Sequence, residues 1–120
     1  MKNNILIKYP RNWGLCERVV VESANAALRK KTLEGIELSI MFVGRKKAKG
    51  LNIKYRQKSY VPQVLGFPLS LARDVDGMIH LGDIVICTQK LKYEAKYRHR
   101  SVEMILKEWV IHGVENLLIQ

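Results

Sequence analysis

Apolar and polar positions along the 120 residues change their spacing several times, and each change marks an element. Ile5, Leu6, Ile7 and Tyr9 form a short β-prone run closed by Pro10, which predicts a first strand. Asn12 is placed to cap a helix. From Trp13 to Lys31 the residues Trp13, Cys16, Val19, Val20, Ala24, Ala27 and Leu28 recur at three- and four-residue intervals, the signature of a helix buried by one face. Gly35 breaks that period. Ile36, Leu38, Ile40 and Phe42 then alternate with Glu37, Ser39, Met41 and Val43, the period of a strand ended by Gly44.

Residues 45–54 predict a short, strongly basic helix running into a Tyr55-Arg56 turn, and residues 57–63, with Pro62, a loop. Val64 to Leu69 and Leu81 to Cys87 predict two strands, and Asp76-Gly77 between them is a turn signal compatible with a hairpin. Helical spacing returns around Lys90 to Tyr97. It returns again after Ser101, a candidate cap with Met104 in place of the usual Glu three residues on. In that last helix Val102, Ile105, Leu106, Trp109, Val110, Gly113 and Leu117 share one broad face, with His112 at its margin and Asn116 one turn later. The order β-α-β-α-β-β-α-α predicts an α/β (α+β) fold, one domain over residues 1–120 with a mixed four-stranded sheet and helices packed against it.

Hydrophobic residues make up 48% and charged residues 27%, a mixture that folds. The first ten residues hold too short an apolar run for a signal peptide and no segment reaches membrane-spanning length, so a cytoplasmic protein without a membrane partner is expected. Cys16 and Cys87 lack C-x-x-C spacing and lie among apolar neighbours, which predicts two buried reduced thiols. Charge changes the picture more. Lys and Arg number 21 against 11 Asp and Glu, a formal charge of +10, so the chain should attract polyanions, nucleic acid above all. Arg45, Lys46, Lys47, Lys49, Lys54, Arg56 and Lys58 are the candidate RNA-binding residues; as a bland alternative, such a run is a solvated face.

No self-contained catalytic signature occurs: there is no H-E-x-x-H, G-x-S-x-G or Gly-rich phosphate loop. The informative residues are Leu51-Asn52, Tyr55-Arg56 and Lys58, then Val64-Leu65-Gly66-Phe67-Pro68, Gly82-Asp83-Ile84 and His112-Gly113. Over residues 46–120 the chain resembles the YbeY family of metal-dependent endoribonucleases, and the first half matches in element order. The resemblance implies a zinc-metalloprotease-like fold and endoribonuclease action on single-stranded RNA during ribosomal-RNA maturation, with the ribosome or a ribosomal protein as a further partner and no DNA specificity.

The family's H-G-x-L-H-L-x-G-x-D-H signature gives three histidines to one zinc ion. Here His112 is the first, Asn116 occupies the second position, and the third, position 122, lies past Gln120. A carboxamide oxygen is a weak zinc donor, so zinc binding is expected to be poor. Glu115 is no substitute, because the helix register points it away from Asn116. The family loop K-D-x-P-T-D-V-L-S-F-P becomes Lys58-Ser59-Tyr60-Val61-Pro62-Gln63-Val64-Leu65-Gly66-Phe67-Pro68, with Ser59 and Gln63 replacing two acids.

By resemblance Arg56 and His112 are the candidate catalytic residues. Arg56 would grip a phosphate bidentately, and the bland alternative is a surface pair with a carboxylate such as Asp83. His112 would be a metal ligand or a general acid/base, or else a core-edge histidine bonded to backbone. His80 and His99 are expected to be exposed loop or helix-end residues. Two other functions stay open: a non-catalytic relative that binds RNA or the ribosome, and a protein-interaction domain using the Arg45 to Lys49 run.

Overall fold

A computed structural model describes residues 2–10, 14 and 16–119. Strand β1 (Asn4–Lys8), helix α1 (Glu17–Lys30), strand β2 (Ile36–Val43), helix α2 (Arg45–Arg56), strands β3 (Val64–Pro68) and β4 (Ile79–Cys87), and helices α3 (Thr88–Tyr97) and α4 (Val102–Leu117) follow in the expected order. Asn12 and Trp13, the expected cap and start of the first helix, lie outside the described residues. At its described start, α1 is preceded by Cys16, which makes no side-chain cap bond.

The four strands form one sheet in the order β1-β2-β4-β3. β1, β2 and β4 run parallel and β3 runs antiparallel along β4, so the sheet is mixed and β3 is an edge. Strand alternation sorts the core into two layers. Ile36, Leu38, Ile40 and Phe42 of β2, with Ile84 and Ile86 of β4, face the larger layer, where α1, α3 and α4 bury their apolar stripes. Met41, Val43, Val85, Cys87 and Leu65 face the smaller one, closed by Ala48 and Leu51 of α2. Towards the starts of β2 and β4 this second face is polar: Ser39 donates to Asp83, and Glu37 pairs with His80.

β1, α1 and β3 each end one residue earlier than the sequence reading, at Lys8, Lys30 and Pro68, and three other boundaries differ by two residues. α2 continues through Arg56 instead of turning at Tyr55, and α3 starts at Thr88 instead of Lys90. β4 begins at Ile79 instead of Leu81, because the strand carries a bulge. Glu37 pairs with His80 but Leu38 pairs with Gly82, leaving Leu81 as the extra residue. Gly82 adopts φ +147°, and a Cβ there would collide with the Phe67 carbonyl oxygen, so only glycine lets β3 come this close.

Cys16 is half-buried, not buried as expected, because it precedes the first helical turn instead of lying on its inner face; Cys87 is buried, and both thiols are free. No described helix is long and apolar enough to cross a membrane.

Candidate functional site

Helices α2 and α4 serve opposite faces of the sheet, yet the end of α2 and the C-terminal half of α4 line one cavity at the edge strand β3. Arg56 is the last residue of α2. Gln57 follows with φ 54°, the left-handed cap that turns the chain, and the Gln57 and Lys58 amides donate to the Ile53 and Asn52 carbonyls. Residues 57–63 then cross towards α4. Two bonds hold that crossing: the Asn52 Nδ2 donates to the Tyr60 carbonyl at 3.0 Å, and the Cys87 amide donates to the Gln63 carbonyl at 3.0 Å.

Asn52 is fully enclosed, and its Oδ1 has no partner. A buried polar side chain is costly unless bonded, so its one bond to the loop marks it as the loop's anchor. Sequence reasoning found Asn52 as a motif residue but missed this role. The available signal was a carboxamide four residues after Ala48, on the buried face of α2.

The result is a cavity of about 330 Å³ with Arg56, Tyr60 and Gln63 on one side and Trp109, His112 and Asn116 of α4 on the other. Val61, Pro62 and Val64 complete it, and none of the residues lining it is acidic. Its polar groups are a guanidinium, an imidazole, two carboxamides and a phenol. Most can donate hydrogen bonds, which suits an anion. Arg56 is exposed and makes no ion pair among the described residues. The alternative of pairing with Asp83 is therefore corrected: Asp83 accepts from Ser39 within the sheet instead. His112 is also exposed, not bonded at a core edge, and shares its helix face with Asn116 one turn on.

The other candidate cations do not gather here. Arg45, Lys46, Lys47, Lys49 and Lys54 are exposed around α2, and Lys58 lies just beyond it. Arg45 sits at the far end, its amide donating to Gln89 of α3, while Lys47 flanks Tyr9 and Pro10 past β1. Lys54 lies over the Tyr55 ring at 5.1 Å, and that ring meets Phe67 edge-on at 5.3 Å.

His80 differs from expectation. It lies in β4, with Nδ1 3.0 Å from Glu37 and Nε2 2.9 Å from Asp76, and the Asp76 bond foremost holds its pKa above the ordinary histidine value. Asp76 is lowered, chiefly by accepting the Met78 amide. His99, with φ 54° after α3, is the helix-end residue expected.

The residues present do not fit a zinc centre. His112 is a good donor and Asn116 a weak one, and no group of three His, Cys, Asp or Glu capable of holding a metal occurs among the described residues.

Comparison with known proteins bears on the family and the fold. The sequence model of a family described as endoribonuclease YbeY matches residues 10–118, reaching well before the motifs at 46–120. Endoribonuclease YbeY of Pseudomonas entomophila is 36% identical over 92 residues, covering 77% of this chain and 58% of that protein. Its counterpart in Wigglesworthia glossinidia brevipalpis is 35% identical over 82 residues, 68% of this chain and 53% of that one. The Myxococcus xanthus protein is 33% identical over 119 residues, 98% and 40%. The chain thus spans about half the length of these relatives. The solution structure of TM1509 from Thermotoga maritima superposes with a TM-score of 0.63 at 26% identity, covering 94% of this chain and 71% of that one.

Proposed function

The chain belongs to the YbeY family, and from that premise we propose that it is an endoribonuclease that acts on single-stranded RNA in ribosomal-RNA maturation. The observation that carries the reading is the meeting of Arg56 and His112 in one acid-free cleft across the edge strand. Phosphodiester cleavage needs a group to hold the phosphate and stabilise its developing charge, and one to move a proton. Arg56 presents a planar, permanently charged fork to the phosphate oxygens. His112 supplies the cleft's one imidazole and takes or returns a proton at a ring nitrogen. Gln63 and Asn116 orient the sugar and phosphate by hydrogen bonds, and the exposed Tyr60 ring offers a base a stacking surface.

A single strand suits this cleft because its bases can be splayed onto aromatic rings, which a duplex forbids. The net charge of +10 supports a polyanionic partner. Association with the ribosome and a cytoplasmic place belong to the same proposal. The family is generally metal-dependent; because the donor set at His112 does not fit zinc, no step is assigned to a metal.

The test is a gel assay of end-labelled single-stranded RNA and its duplex, run with chelator and again with added zinc. Fragments from the single strand should form, and they should fall by about a hundredfold or more in Arg56→Gln and in His112→Ala. Stable RNA binding without fragments under either condition would refute cleavage and leave an RNA-binding relative.

A further inference from the structure

Helix α3 buries Leu91 and Ala95 and turns its opposite side to water. On that side Tyr93 and Tyr97 are 65% and 71% exposed, an unusual amount of aromatic surface to leave solvated. Their rings lie 6.2 Å apart and 11° from parallel. At about 100° per residue, Gln89, Lys90 and Lys96 fall within about 60° of Tyr93, so the rings are flanked by cations. Glu94 is the one acid of the helix. Such a helical tyrosine pair stabilises its own helix only weakly, too little to explain two solvated rings.

The patch is continuous with α2. Arg45 joins Gln89, Lys90 and Tyr93 around a small hollow of about 170 Å³, and the Arg45 amide donates to Gln89 Oε1 at 3.0 Å. Arg45, Lys49 and Arg56 lie within about 40° of one another around the α2 axis, a ridge about 16 Å long at 1.5 Å per residue. That ridge ends at the cleft. Aromatic faces beside a cationic track are what a single strand needs, since stacking takes any base and the cations follow the backbone.

We infer that the tyrosine face of α3 is a stacking platform for single-stranded RNA, joined to the cleft by the Arg45–Lys49–Arg56 ridge. The inference rests on the RNA reading of the cleft and adds to it a second contact, about 16 Å from the first along α2.

The test measures fluorescence anisotropy of labelled oligoribonucleotides of three and twelve nucleotides at several salt concentrations. Tyr93→Ala/Tyr97→Ala should weaken the twelve-mer roughly ten- to a hundredfold, with little change in salt dependence, and leave the three-mer unchanged. Tyr93→Phe/Tyr97→Phe, which keeps the rings, should bind like the parent. Arg45→Gln/Lys49→Gln should flatten the salt dependence for the twelve-mer alone. Because both tyrosines are exposed, circular dichroism should show an unchanged fold.

Wild-type binding that the double alanine variant retains would overturn the platform while leaving the cleft reading intact. Equal loss for both lengths would overturn it too. No binding of either length by the wild type would overturn both readings. Loss of binding to phosphatidylglycerol vesicles with RNA affinity retained would instead assign the patch to an acidic lipid surface and refute the inference.

Discussion

Gly113 sets how closely α4 can approach the sheet, and hence where His112 stands. A methyl added at Gly113 would lie 2.9 Å from Ile84 Cγ2 and 3.1 Å from its Cδ1. Cγ2 sits on the branched carbon and cannot retreat without turning χ1, and Ile84 is wholly enclosed in the core. Two effects therefore compete in Gly113→Ala. Replacing glycine inside a helix gains about 1 kcal/mol, whereas forcing a methyl into a filled core costs about 1–3 kcal/mol. The larger effect wins, with a net loss of about 1 kcal/mol. In an Ile84→Ala background, itself destabilised by about 2–5 kcal/mol, the clash is gone. There the same change should stabilise by about 1 kcal/mol through helix propensity. The sign reversal corresponds to a coupling of about 2 kcal/mol between the two sites. Urea titrations of the four proteins, compared at constant m, measure it. An equal effect of Gly113→Ala in both backgrounds would refute the close seating of α4 on β4.

Three further outcomes are expected. Ser101 Oγ accepts the Met104 amide at 3.1 Å to start α4, so Ser101→Ala should cost about 1 kcal/mol in a urea titration. Around His80, the raised histidine contributes stability in full below its unfolded value of about 6.5, and loses it as pH climbs through the folded value. The lowered Asp76 contributes above its unfolded value of about 3.9 and loses that as pH falls through the folded one. Melting temperature should therefore show a maximum between about pH 4 and 6.5 whose alkaline side flattens in His80→Gln while its acid side, set chiefly by the Met78 amide on Asp76, remains; parallel alkaline limbs for the two proteins would exclude His80 as their source. Asn116→His should place two imidazoles one turn apart on α4 and raise zinc affinity at least about tenfold by calorimetry, whereas unchanged affinity would mean that the weak donor at 116 is not what limits binding.

Which parts of this molecule were legible in its sequence follows from how far each signal reaches along the chain. β2 was legible because its alternation is unbroken from Ile36 to Val43, and α4 because its apolar face and Ser101 cap are local. The start of β4 was not. Inward positions there run Ile79, Leu81, then Ile84 and Ile86, so the bulge shifts the period by one, and a pattern read back from the strand's end stops at Leu81. His80 was thereby left in a loop, and its two carboxylates, one brought by β2 and one by the turn, were invisible.

The site shows a longer-range version of the same limit. Arg56 and His112 could each be picked out by resemblance, but nothing local says that helices on opposite faces of a sheet will meet. That depends on β3 being an edge strand, which the pairing of four distant segments decides. The basic run failed in the opposite direction. Its residues are neighbours in sequence, yet the helix separates them: a turn every 3.6 residues sends Lys47 to the end of β1, and the length of α2 leaves Arg45 at α3, about 16 Å along the axis from Arg56 in the cleft. Charge read from the chain therefore gave the class of partner, and only the sheet order and the helix phase decide which of those charges the partner can touch together.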